Sequence, residues 1–405
     1  MTTTNLQSGS STPPTSQISP GKWLKKNLFS TWYNTILTIV SLLFIYWIGS
    51  GLIRWAFTQA DWTVIDANFR LFFVGRYPIR PDNLLWRPWT NLGIIVGLGG
   101  FSWGILARNA PFLFNRRVIS ILAIAAVVCV AIAIPAGILS SIILLGMLVL
   151  LVLTAIGGKQ IGKQFPDLAA WLPLIWFITF FILLWLLIGG FGLKPVKIDS
   201  LSGFILTLLV SVVSIVLCFP LGVLLALGRQ SDLPVIRWLS IAYIEVIRGI
   251  PLIGILFMAQ IMLPLVLPGD VRPDRVIRAI AGMTIFSSAY LAENVRGGLQ
   301  SIPRGQYEAA KAVGLNSALT LALIILPQAL KAVIPSMVGQ FISLFKDTSL
   351  LAIVGLVDLL GISQSILANP KFLGQYGEVY LFISVIYWLC CYSMALASRK
   401  LEHKL

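Results

Sequence analysis

The sequence predicts an all-α polytopic membrane protein with about ten membrane-crossing helices. Of its 405 residues, 58% are hydrophobic and only 11% charged, and the mean hydropathy is +0.90. A soluble domain of this length carries roughly a quarter charged residues. Several runs of about 20 apolar residues also match the thickness of a bilayer core.

Along the chain, residues 1–20 are rich in Ser, Thr and Pro, a composition that cannot form a packed core, so residues 1–33 read as a disordered, basic tail. No apolar segment with a cleavage site follows directly. Lys22, Lys25 and Lys26 precede the first apolar run and favour a cytoplasmic N-terminus. The expected spans are 34–57, 90–107, 118–135, 138–156, 168–189, 201–227, 239–265, 276–295, 329–350 and 378–397. Pro135 and Gly137 divide the stretch 118–156, which is too long for one span. In the ninth span, apolar character runs on past Asp347 to Ile362. An even number of spans places both termini on one side, which also receives more of the Lys and Arg residues. The loop at 58–89 runs against that bias. It holds Arg70, Arg76, Arg80 and Arg87 on the outer side, among Trp and Tyr residues that suit an interface.

Several function classes drop out. The net charge of +15 belongs to membrane-flanking loops and not to a nucleic-acid surface, because no soluble segment interleaves aromatic and basic residues. Cys129, Cys218, Cys390 and Cys391 all lie in apolar runs and read as small hydrophobes. With His403 as the single histidine and no acidic cluster, no metal site is expected. The stretch 157–164, GGKQIGKQ, has the spacing of a phosphate-binding loop but ends in Gln164, where a hydroxyl is needed for magnesium. It follows a membrane span and reads as a basic turn. No arrangement of nucleophile, acid or base points to an enzyme.

Between the eighth and ninth spans lies a small-residue, glycine-broken stretch. Ser301 can cap a short helix with Pro303 in its first turn, and Gln306–Val313 are good helix formers. Gly314 supplies a left-handed stop, and Asn316 or Ser317 can cap a second helix running to Pro327. Ala309, Ala310 and Ala312 would form a smooth face flanked by Glu308 and Lys311. Such a face suits a protein groove or, alternatively, an interfacial position among lipid headgroups.

The residues Glu308-Ala309-Ala310, Gly314, Ile324, Leu326 and Pro327 resemble, in identity and spacing, the cytoplasmic loop of ABC importer permeases. Segments 243–253, 288–310 and 341–355 resemble polar amino-acid permeases, with Asn294 as one departure, where an apolar residue is expected. The N-terminal half, including NFRLFFVGRYPI (68–79), resembles the long permease subunit of broad-specificity L-amino-acid importers. The resemblance implies a type I ABC membrane domain at 201–398, with a coupling loop at about 297–327. Ahead of it would stand a five-helix extension at 34–200, and after it a tail at 399–405. It implies that Glu308, Ala309, Ala310, Gly314, Leu326 and Pro327 couple to an ATPase subunit. ATP and magnesium would be used there, and this chain would bind no cofactor. The other implied partners are a second permease subunit, making a heterodimer, and an extracytoplasmic amino-acid-binding protein. The setting would be a bacterial inner membrane.

Charges inside apolar spans carry the remaining chemistry, because each costs about 2.5–3.5 kcal/mol near the bilayer centre. Glu245/Arg248 and Glu293/Arg296 each share a helix face at a spacing of three, so each pair can neutralise itself. Glu245, Arg248, Lys346 and Asp347 are candidates for the pathway or its gate, and Glu293 with Arg296 for a structural pair at the membrane interface. The main alternative to an ATP-driven importer subunit is a self-contained proton- or sodium-coupled amino-acid carrier. It would show two related, glycine- or proline-broken halves. A membrane scaffold without a pathway is a further alternative.

Overall fold

The structure is a computed structural model that describes residues 20–77, 84–268 and 272–402. Every regular element among them is helical, and the chain divides into two units at residues 1–61 and 62–405.

The first unit holds α1 (Pro20–Asn27) and α2 (Trp32–Thr58). Thr31 caps α2 by accepting from the Asn34 amide, and Thr38 Oγ1 donates to the Leu28 carbonyl, fixing the turn between the helices. The α2 sequence is apolar on every side, as a helix surrounded by lipid must be.

The second unit begins with α3 (Thr63–Val74), which lies in the expected 58–89 loop. Residues 78–83 of that loop, the end of the 68–79 segment and His403 lie outside the described residues. Four longer helices follow: α4 (Trp86–Leu106), α5 (Arg116–Ala131) continued by α6 (Ala133–Ala136), α7 (Ile138–Gln164) and α8 (Leu168–Ile188). The turn at Pro135–Gly137 forms where the sequence placed it, with Gly137 at φ 83°. The phosphate-loop look-alike at 157–164 is not a turn, however, but the last two turns of α7. Gly158 faces Phe101 so closely that a Cβ there would overlap the Phe101 carbonyl oxygen, and Gly162 stands over Ile105. These glycines let α4 and α7 approach backbone to backbone, as small residues do in lipid.

The second half runs α9 (Phe204–Arg229), α10 (Pro234–Gly249), α11 (Leu252–Phe257), α12 (Leu263–Val266) and α13 (Arg275–Ser301). It continues with α14 (Arg304–Ala312), α15 (Ser317–Leu319), α16 (Leu326–Ala332), α17 (Ile334–Asp347), α18 (Leu359–Leu367) and α19 (Tyr376–Glu402). Pro251 breaks the seventh expected span, so that α10 meets the α11–α12 segment at 105°. The ninth breaks at Val333, with 61° between the segments on either side. Seven described helices are long and apolar enough to cross a bilayer, and nine if each bent pair is one span. The expected segment 276–295 lies in α13, which is helical throughout but carries Arg275, Arg278, Glu293 and Arg296.

One buried core joins α9, α10, α13, α16 and α17 around Leu206, Ile244, Met283, Leu291, Ile325 and Leu344. A second joins α3, α18 and α19 around Phe72, Leu359, Ile362 and Val379. Its residues alternate at helical spacing on all three helices.

Candidate functional site

The glycine-broken stretch begins with a short helix, α14, packed by one face onto its neighbours. Ser301 does not cap it. Instead α13 runs through Ser301, and the extended residues Ile302 and Pro303 lead into α14. Gly314 adopts φ 86°, a left-handed conformation that L side chains avoid, and its amide donates to the Lys311 carbonyl at 2.9 Å. Asn316, and not Ser317, caps the next segment, its Oδ1 accepting from the Leu319 amide at 2.8 Å. That segment does not stop at Pro327. Residues Thr320–Ile325 take a wider π-helical turn that runs directly into α16 and its Pro327.

The faces of α14 are distinct. Ala310 is 2% exposed and Tyr307 packs against the main core, so Ala310 is not part of the outward face expected from sequence. Gln328 Nε2 donates to Gln306 Oε1 at 3.3 Å, which ties α14 to α16. Glu308, Ala309, Lys311, Ala312 and Val313 are exposed. Leu326 packs against the core, while Pro327 is exposed.

Behind this loop, charges from three helices meet. Glu293 on α13 accepts from Arg229 Nη1, at the end of α9, at 2.9 Å, and its Oε2 lies 3.9 Å from Arg248 Nη1 on α10. Arg296, one turn along α13, pairs with Glu293 at 2.8 Å, as the spacing of three predicts. The same spacing does not pair Glu245 with Arg248. Glu245 Oε1 accepts from Arg229 at 3.0 Å, while the Arg248 guanidinium lies 5.5 Å from the centre of the Tyr290 ring. Arg229, at the end of an apolar span, was indistinguishable in sequence from an ordinary flanking cation. Only packing shows that it bridges two carboxylates.

Lys346 and Asp347 end α17 on a separate helix, and no ion pair joins them to this cluster among the described residues. One face of α17 presents Ser336, Gly339, Gln340, Ser343, Lys346 and Asp347, exposed or half-buried, while Met337, Leu344 and Phe345 are buried opposite. A membrane helix facing only lipid would not carry such a stripe.

Sequence reasoning also missed Asp358, the N-cap of α18, which is fully buried. Its carboxylate accepts from the amides of Leu360 and Gly361 and from Tyr387 Oη at 3.4 Å. Beside it, the Leu359 amide donates to Thr207 Oγ1 and the Gly203 amide to the Val357 carbonyl, fastening α18 to α9. Burial, only partly offset by these hydrogen bonds, pushes the Asp358 carboxyl up to about 7. Among the described residues, no cluster of three or more His, Cys, Asp or Glu side chains could hold a metal ion.

Comparisons with known proteins supply the identity. Residues 218–405 match the family described as "Binding-protein-dependent transport system inner membrane component". The chain is 36% identical over 401 residues to the inner membrane amino-acid ABC transporter permease protein YhdY of Escherichia coli strain K12, covering 94% of this chain and 92% of that protein. It is 35% identical over 429 residues to the glutamate/glutamine/aspartate/asparagine transport system permease protein BztC of Rhodobacter capsulatus, covering 97% and 95%. A probable glutamine ABC transporter permease protein, GlnP of Bacillus subtilis, is 38% identical over 201 residues, 50% of this chain and 91% of its own. Permeases of this family are multi-pass membrane subunits that work with a binding protein and a separate ATP-hydrolysing subunit, which sets aside the self-contained carrier. The chain therefore belongs to the family of binding-protein-dependent ABC transporter permeases.

Proposed function

We propose that this permease carries polar L-amino acids inward by alternating access, driven through α14. The observation that carries the reading is the division of α14. Ala310 and Tyr307 anchor it to the core, while Glu308, Ala309, Ala312 and Val313 stand free. A small, smooth, exposed face on an anchored helix can sit in a partner's groove and pass on a displacement. Glu308, Ala309 and Ala310, the stop at Gly314, and the Leu326-Pro327 pair would form this coupling element. The amino-acid cargo is supported by the names of the relatives YhdY and BztC.

In this reading α14 faces the cytoplasm, both termini lie there too, and the membrane is a bacterial inner membrane. The transport domain is 201–398, the five-helix extension 34–200. A second permease subunit completes a heterodimeric pathway, ATP and magnesium are bound by the ATPase subunits, and this chain binds no cofactor. The polar stripe on α17 supports a place in the pathway for Lys346 and Asp347. Glu245 and Arg248 would stand at its inner gate.

The test compares uptake of radiolabelled L-amino acids by cells expressing the complete system, using wild type, Glu308→Lys and Gly314→Pro. Capture of the ATPase subunit and membrane expression are measured alongside. Loss of both uptake and capture with normal expression supports the reading. Full uptake in both variants refutes it.

A further inference from the structure

The charge cluster behind the coupling loop is built as a clasp. Three guanidiniums, from Arg229, Arg248 and Arg296, surround Glu293, and Glu245 is the second carboxylate. Their holds are unequal. Arg296 is bound to Glu293 through both Nε and Nη2 from the same helix, so that contact moves with α13. Arg229 is gripped by two carboxylates on two other helices. Arg248 is the loose arm, 3.9 Å from Glu293 and resting beside the Tyr290 ring. The three arginine side chains are partly exposed, so their contacts can exchange during a cycle.

The clasp is also mechanically connected to α14. Gln306 on α14 bonds Gln328 on α16. At Gly298, α13 meets α16 so closely that a Cβ would stand 2.6 Å from the Ala329 carbonyl oxygen. Glu293 lies little more than one turn before Gly298 on the same helix. A displacement of α14 is thus carried to α16, to α13, and to the contacts that join α13 with α9 and α10.

We propose that Glu293 is a positioning residue of the transport cycle. It clasps α9 and α10 to α13 in one conformation, and Arg248 is the arm that lets go when α14 is displaced. This inference rests on the coupling role of α14 described above. It assigns Glu293 and Arg248 a shared task in converting ATP turnover into transport, beyond holding the helices together.

The experiment uses the complete transporter in proteoliposomes: this chain with its ATPase subunit, second permease and binding protein. The probe is a radiolabelled mixture of the standard L-amino acids. ATP hydrolysis, and amino acid moved per ATP, are measured for wild type, Glu293→Gln, Arg248→Gln and the double variant. We expect the assembled complex to keep its ATPase subunit, with hydrolysis persisting while transport per ATP falls about fivefold or more in each single variant. The double variant should be no worse than Glu293→Gln alone, because the two residues act through one contact. Unchanged transport per ATP in Arg248→Gln, or losses that multiply in the double variant, overturns the proposal. The Arg248 side chain is 37% exposed, so its variant carries the test even where Glu293→Gln fails to assemble. A failure of the coupling reading shows separately: Glu308→Lys would then keep its ATPase subunit and its uptake. Failure of the clasp alone leaves Glu308→Lys defective and Arg248→Gln silent.

Discussion

Gly298 and Ala329 bring α13 and α16 into backbone contact. A Cβ on residue 298 would lie 2.6 Å from the Ala329 carbonyl oxygen and 2.7 Å from Val333 Cγ1. Neither the carbonyl nor the β-branched side chain can yield cheaply. Gly298→Leu is expected to push the helices apart and destabilise the protein by about 1–3 kcal/mol. Thermal unfolding of the purified chain in detergent checks this, with Gly297→Leu as the control, because nothing lies within 4 Å of a Cβ there.

Gly314 has open space around it, so its constraint is conformational. At φ 86° a β-branched residue is strained by about 1–2 kcal/mol, whereas Asn adopts that region more readily. Gly314→Val should loosen the end of α14 and weaken capture of the ATPase subunit, and Gly314→Asn should retain most of it. Co-purification of the two subunits distinguishes the variants.

The two alanines of α14 should separate by readout. Ala309→Asp places a charge on an exposed face and is expected to leave folding unchanged while reducing ATPase capture. Ala310→Asp forces a carboxylate into a site 2% exposed and should lower expression and thermal stability first. Comparing folded yield with capture for both variants tests this division.

Asp358 makes stability depend on pH. Its folded carboxyl titrates near 7, against about 4 when unfolded, so between these values the folded chain holds the extra proton. Stability from this group is therefore complete below pH of about 4 and is lost as pH rises through about 7, by no more than about 1.4 kcal/mol per pH unit. Asp358→Asn keeps an N-cap acceptor for α18 without the charge. The unfolding temperature of the variant, relative to wild type, should rise between pH 5 and 8. A constant difference across that range would show that Asp358 does not titrate there.

Local chemistry made much of this legible. The left-handed stop at Gly314, the cap at Asn316, the break at Pro251 and the turn at Pro135–Gly137 depend on residues within one or two turns of each other. The identity and spacing of Glu308, Ala309, Ala310, Gly314, Leu326 and Pro327 singled out the loop proposed to couple to the ATPase subunit. The same local reading failed for Glu245 and Arg248. A shared helix face permits a pair but does not choose it, and Arg229 reached Glu245 from another helix.

The sequence by itself determined that the protein lives in a membrane, where its chain turns at Pro135–Gly137, breaks at Pro251 and stops at Gly314, and which loop to examine for a partner. Apolar length, proline, glycine and caps act through the nearest backbone hydrogen bonds and through lipid, so no tertiary contact is needed to read them. Only the tertiary structure decided that Ala310 turns inward, that Asp358 is enclosed by α9, α18 and α19, and that Arg229 joins Glu245 to Glu293. The last contacts link residues 16 and 64 positions apart. Whether such charges meet depends on how three helices pack, because an ion pair forms only where the side chains are brought within a few ångströms, and glycines such as Gly298 set that approach.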